Sequence, residues 1–222
     1  RTTSSAASDV YKRQIVECFG TCVLIISVIG SGIMGQNMTN NNGVILLAHA
    51  LTVGLTLFVL INSFAKYSGA HFNPAVTIAF FILKKIKANE AIKYIFAQIV
   101  GALFAVIIVN TMYGKELIEL SSNVRSGNNI YFSEILATFG LVLVILLNIK
   151  ERKEIIATCV GFYIFSAIWF TSSTCFANPA VTLGRIFTES FTGINFSTAH
   201  IFILAQILGA ILAAILYTRK IK

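Results

Sequence analysis

Three observations predict an all-α membrane protein of six transmembrane helices plus two re-entrant half-helices, arranged as an inverted repeat. The first observation is composition. Of 222 residues, 56% are hydrophobic and 12% charged, and the mean hydropathy is +0.81, outside the range of ordinary globular domains. The second is length, because a spanning helix takes about 20 mostly apolar residues. Six runs qualify, near 15–35, 43–65, 91–113, 129–149, 155–172 and 198–218. The third is that NPAVT stands twice, at 73–77 and 178–182, and contains the only two prolines, Pro74 and Pro179.

The opening residues 1–14 are polar, with no apolar period, and SSAASDVYKRQ reads as a translated adapter rather than native chain. They are set aside as a non-native or disordered leader, leaving 15–222 as a single channel-sized domain. Its halves, 15–113 and 129–218, echo one another. ECFGT at 17–21 answers EILAT at 134–138, and AQIVGA at 97–102 answers AQILGA at 205–210. The offsets are 117 for Glu17 to Glu134, 105 for Asn73 to Asn178 and 108 for Gln98 to Gln206, so one register with small insertions relates them. Three spans per half is an odd number, so the second half enters the membrane in the opposite sense.

Each pentapeptide follows the second span of its half. The apolar stretches after them, 75–83 and 180–188, are nine residues each, about 14 Å of helix. Neither spans alone, but two dipping in from opposite faces cover roughly the 30 Å hydrocarbon layer. Asn73 and Asn178 are N-cap residues, with Pro74 and Pro179 at the first helical position and Ala75 and Ala180 next. Two helix starts therefore face each other at the midplane, each carrying about half a positive charge. That focus repels protons and cations, and the two asparagine amides can donate to a passing solute.

The net charge of +8 does not form a nucleic-acid stripe or tail. Lys84, Lys85, Lys87 and Lys93, then Lys150, Arg152 and Lys153, then Arg219, Lys220 and Lys222 fall in connections that share one side of a six-span protein. The opposite connections hold Lys115, Arg125 and Arg185. The positive-inside rule then places both termini in the cytoplasm of a multi-pass cell (inner) membrane protein, with membrane lipid as its partner. Cys18, Cys22, Cys159 and Cys175 lack zinc spacing and are expected as free thiols. His49, His71 and His200 are widely separated and without acidic or cysteine companions, so no metal or other cofactor is expected. No nucleophile triad, acid pair or phosphate loop marks an enzyme.

SGAHFNPAVT at 68–77, with the second NPAVT and the paired glutamates, resembles the aquaporin or major intrinsic protein family from Ile15 to the C-terminus. The resemblance implies a homotetramer with one pore per protomer. It makes Glu17 and Glu134 braces of the re-entrant loops; His71, by its place inside HFNPAVT, is read as bonding the same loop, with pH gating through its titration as the alternative. It places a selectivity constriction at Val181, where the family usually has arginine, at Val53, where water channels carry Phe, and at the backbone of Cys175. In the fifth span ungapped counting gives Ser166, with Ala167 or Ile168 as alternatives. Arg185, one turn past Val181, is read as structural. Loss of the aromatic, histidine and arginine implies a wider, less polar pore. The expected function is a passive channel for water and small neutral solutes, polyols or a metalloid such as arsenite, excluding protons and ions. A strict water channel is the alternative, and a secondary transporter with alternating access is the reading from another class.

Overall fold

The structure, a computed structural model, describes residues 3–221, with side chains from residue 10 to residue 219. Eight α-helices follow in order: α1 (Thr3–Met38), α2 (Asn42–Ser68), α3 (Pro74–Ile82), α4 (Ala88–Met112), α5 (Asn128–Leu147), α6 (Lys153–Phe170), α7 (Pro179–Arg185) and α8 (Phe196–Leu216). The last runs into a π-turn, Tyr217–Ile221. Six of the helices are long and apolar enough to cross a membrane, and α3 and α7 are the two that are not.

The first span differs from the sequence expectation. Instead of beginning near residue 15, α1 runs from Thr3, and Arg13 pairs with Glu90 on α4 at 2.9 Å. Residues 3–14 therefore continue the first helix, because nothing in that stretch is a proline or a cap strong enough to end it. Residues 1 and 2 lie outside the described region. The second half-helix is also shorter than expected, closing at Arg185, after which the chain turns at Ile186 and Phe187.

The two halves pack alike. In the first, Gly101 of α4 lies on the Cys18 carbonyl of α1; in the second, Gly209 of α8 lies on the Ile135 carbonyl of α5, and a Cβ at either glycine would overlap that backbone. Small residues matter here because lipid offers no hydrophobic drive between helices, so association rests on close van der Waals approach. Outward faces carry exposed Leu55, Phe96, Phe104, Phe162 and Leu204, as an apolar solvent requires.

Local chemistry seats the half-helices. Gly69 ends α2 in the left-handed region (φ 90°), a conformation that costs glycine no Cβ clash, and its N–H donates to Ala65 O at 3.0 Å. The chain then re-enters as α3. On the far side, residues 113–127 run over the exit of α7: Ser121 N–H donates to Ile186 O at 2.9 Å, and Arg125 donates to Gly193 O and Phe191 O, both at 2.9 Å.

Candidate functional site

The starts of α3 and α7 meet. Asn73 caps α3, its Oδ1 accepting from Ala75 N–H at 2.8 Å. Asn178 caps α7, accepting from Ala180 N–H at 2.9 Å and Val181 N–H at 3.4 Å. With each oxygen committed to its own helix, the amide nitrogens reach across: Asn73 Nδ2 donates to Ala177 O and Asn178 Nδ2 to Phe72 O, both at 2.8 Å. An amide has two N–H donors, so each keeps one, and both asparagines line the cavity described below. Pro74 and Pro179, at the first helical positions, sacrifice no bond there.

The loops before the caps are strained in matching places. Ala70 (φ 51°) and Phe72 (φ 48°) repeat as Cys175 (φ 47°) and Ala177 (φ 47°), left-handed residues without a glycine among them. Each such residue costs about 1–3 kcal/mol and persists only when its surroundings over-determine it. Two buried carboxylates do so. Glu17 accepts from Ser68 Oγ at 2.6 Å, His71 N–H at 3.0 Å, Phe72 N–H at 2.7 Å and Gln98 Nε2 at 2.8 Å. Glu134 accepts from Phe176 N–H at 2.9 Å, Ala177 N–H at 3.0 Å and Gln206 Nε2 at 2.7 Å. The same glutamines donate to Thr77 and Thr182 on the half-helices, at 3.1 and 2.9 Å. His71 Nδ1 lies 3.1 Å from Thr77 Oγ1, its ring against Phe80 and Tyr94.

One cavity of about 60 Å³ passes this junction. Each spanning helix that lines it does so in steps of four: Leu24 and Val28 on α1; His49, Val53, Leu57 and Ile61 on α2; Leu141 and Ile145 on α5; Val160, Ile164 and Ile168 on α6. The α2 stripe alone is about 18 Å long at 1.5 Å per residue. Val53, Val181 and Cys175 line the cavity as the sequence placed them. His71 lines both it and a second depression with Arg13, Lys66 and Lys85, on the face where the chain ends.

One expectation needs correction and another is incomplete. Ser166 is exposed on the outside of α6, whereas Ile168, one of the two alternatives, lines the cavity in helical step with Val160 and Ile164, a face on which Ser166 does not lie. Arg185 does brace its loop, with Nε donating to Thr192 O and the guanidinium 3.2 Å from the Phe176 ring centroid, yet it also lines the cavity. Among residues given no part by sequence, Gln98 and Gln206 were signalled by their repeated hexapeptides, whereas His49 had no such signal. His200 is exposed on α8. The four cysteines are unpaired, and only Cys175 touches the cavity.

The profile described as "Major intrinsic protein" matches residues 4–177. The chain belongs to the major intrinsic protein family. Its relatives include aquaglyceroporin AqpS of Rhizobium meliloti, 38% identical over 205 residues that cover 92% of this chain and 88% of that protein. Glycerol uptake facilitator protein-like 6 of Lactiplantibacillus plantarum is 34% identical over 182 residues, covering 76% of this chain and 82% of that one. Among solved structures, the aquaglyceroporin from Plasmodium falciparum superposes with a TM-score of 0.77 at 26% identity, covering 96% of this chain and 97% of that chain. That match extends the family likeness through the second half-helix. As a major intrinsic protein, the chain is a passive, multi-pass membrane channel.

Proposed function

We propose that this major intrinsic protein is a facilitator for water and small neutral hydroxylated solutes, with polyols and undissociated arsenite as the favoured cargo, and that it excludes protons and ions. The observation that carries the reading is the cavity itself. It runs past both capping asparagines, each with an uncommitted amide N–H, and its walls beyond them are Val53, Ile168 and Val181 beside Cys175. An apolar wall opposite a few donors suits a molecule with a carbon or arsenic centre and several hydroxyls, whereas water alone gains nothing from the wall. Asn73 and Asn178 would orient the solute. The half-helix starts turned toward one point support exclusion of cations.

Glu17 and Glu134 serve as loop braces, with His71, since neither carboxylate lines the cavity and each is taken up by bonds from loop and glutamine. A carrier with alternating access needs a coupling carboxylate or cation site on the solute path, and no carboxylate among the described residues lines this cavity, which favours a channel. A strict water channel is disfavoured by the valines at 53 and 181. The lysines at 84, 85, 87, 93, 150 and 153 share the terminal face, which supports cytoplasmic termini in the cell membrane. Membership of the family supports a homotetramer.

Stopped-flow light scattering on reconstituted vesicles tests the reading. Glycerol and arsenite fluxes above protein-free vesicles, with a low activation energy and no proton coupling, are expected. Fluxes no faster than the controls for every neutral solute would overturn it.

A further inference from the structure

We infer that the channel carries a second size-selecting ring, Ile61, Val76 and Val160, between the paired asparagines and the face where the chain ends. This inner ring limits solutes as strongly as the outer wall of Ile168, Val181 and Val53. The inference deepens the channel reading above and rests on it.

The inverted repeat extends into the lining of the cavity. Gly54 of α2 packs on Gly161 of α6, an offset of 107, while offsets of 117 and 105 relate α1 to α5 and α3 to α7. Applied to the cavity, these offsets pair its residues with one another: Leu24 with Leu141, Val28 with Ile145, Leu57 with Ile164. Among the described residues, only His49 and Arg185 lack a counterpart in the lining, since Ile156 and Phe80 stand outside it. The outer wall is paired as well. Val53, Ile168 and Val181 correspond to Val160, Ile61 and Val76, and Cys175 corresponds to Ala70; all of them line the cavity.

The counterparts lie on the other side of the junction. Because α3 and α7 leave it in opposite directions, the valine three residues past each asparagine lies on the opposite side from its partner. Along α2, Ile61 is about 12 Å of helix nearer than Val53 to the Ser68 end, and along α6 Val160 is as much nearer than Ile168 to the Lys153 end. Those two ends share a face, for Lys153 Nζ donates to Asn62 O at 3.1 Å. Paired positions also carry the same residue: valine at 53 and 160, valine at 76 and 181, isoleucine at 61 and 168. A two-fold relation between identical side chains gives apertures of like width and like polarity. Valine at 181 is what makes the match, since an arginine there would leave the outer wall narrower and charged. A solute therefore crosses two similar apolar constrictions in series, with the asparagine donors between them, and their resistances add.

The test uses the full-length protein in vesicles, with xylitol and water fluxes measured on wild type, Ile168→Ala, Ile61→Ala and the double variant. Water fits either ring, so the xylitol-to-water ratio does not depend on how much protein assembles. Wild-type fluxes no faster than empty vesicles would remove the channel reading itself, and the ring with it. Given wild-type flux, each single variant is expected to raise the ratio by at most about twofold, because the untouched ring keeps its share of the resistance. The double variant is expected to raise it by at least about tenfold, the scale on which one methylene in an apolar pocket discriminates. A full gain in Ile168→Ala with none in Ile61→Ala would leave size selection to the outer wall alone and overturn the inference, as would an unchanged ratio in the double variant. Should an alanine variant fail to assemble, Ile61→Phe narrows the inner ring instead. Its ratio is expected to fall about tenfold, and an unchanged ratio overturns the inner ring equally.

Discussion

Gly54 and Gly161 face each other across the crossing of α2 and α6 with no side chain between them. A Cβ on Gly54 would lie 2.8 Å from the Gly161 carbonyl oxygen, and one on Gly161 would lie 2.7 Å from that of Gly54. The residues are 107 apart, in the register that relates the two halves, so the contact sits where the inverted repeats cross. Substituting Leu at either position forces the cavity-lining stripes of α2 and α6 apart. Gly54→Ala is expected to lower stability by about 1–3 kcal/mol, as overpacking generally does, and Gly54→Leu to prevent assembly. Size-exclusion profiles and melting temperature in detergent check this; wild-type behaviour of Gly54→Leu would refute the close crossing.

Glu17 and Glu134 make an unequal pair. Removing Glu17 orphans four donors and removing Glu134 orphans three, each costing about 1–3 kcal/mol when buried without a partner. Both Glu17→Ala and Glu134→Ala should lose several kcal/mol, with Glu17→Ala the worse. The measurement is thermal unfolding in detergent, and two variants as stable as wild type would remove the bracing role.

Cys175 lines the cavity and the other three thiols do not. A mercurial is expected to block solute flux in wild type and to leave Cys175→Ser unaffected. Equal block in both proteins would place the sensitive thiol elsewhere.

Val181→Arg puts a second guanidinium one turn deeper than Arg185. Xylitol flux is expected to fall at least tenfold relative to water, about 1.4 kcal/mol of added barrier. An unaltered solute ranking in stopped-flow would show that position 181 does not set the width.

Much of the central geometry was legible in the chain. Asn-Pro at a helix start, the length of the apolar run behind it and an odd number of spans per half are local signals, and they fixed the half-helices, their caps and their opposed directions. The extent of α1 was not, because polar composition marks a segment unlike the core but does not forbid helix.

What the sequence by itself determined is the plan: six crossings, two re-entrant starts and a repeat that inverts. The tertiary structure decided which face of each helix looks inward. Lipid and a membrane-protein core are equally apolar, so hydropathy cannot distinguish Ile168, facing the cavity, from the exposed Trp169 and Phe170 beside it, and it gives no reason for Ser166 to turn outward. The course of Arg185 was settled the same way, by Phe176 and Thr192 arriving beside it from other parts of the loop. Spacing along one strand of residues carries no record of those meetings, since they depend on how eight separate helices pack.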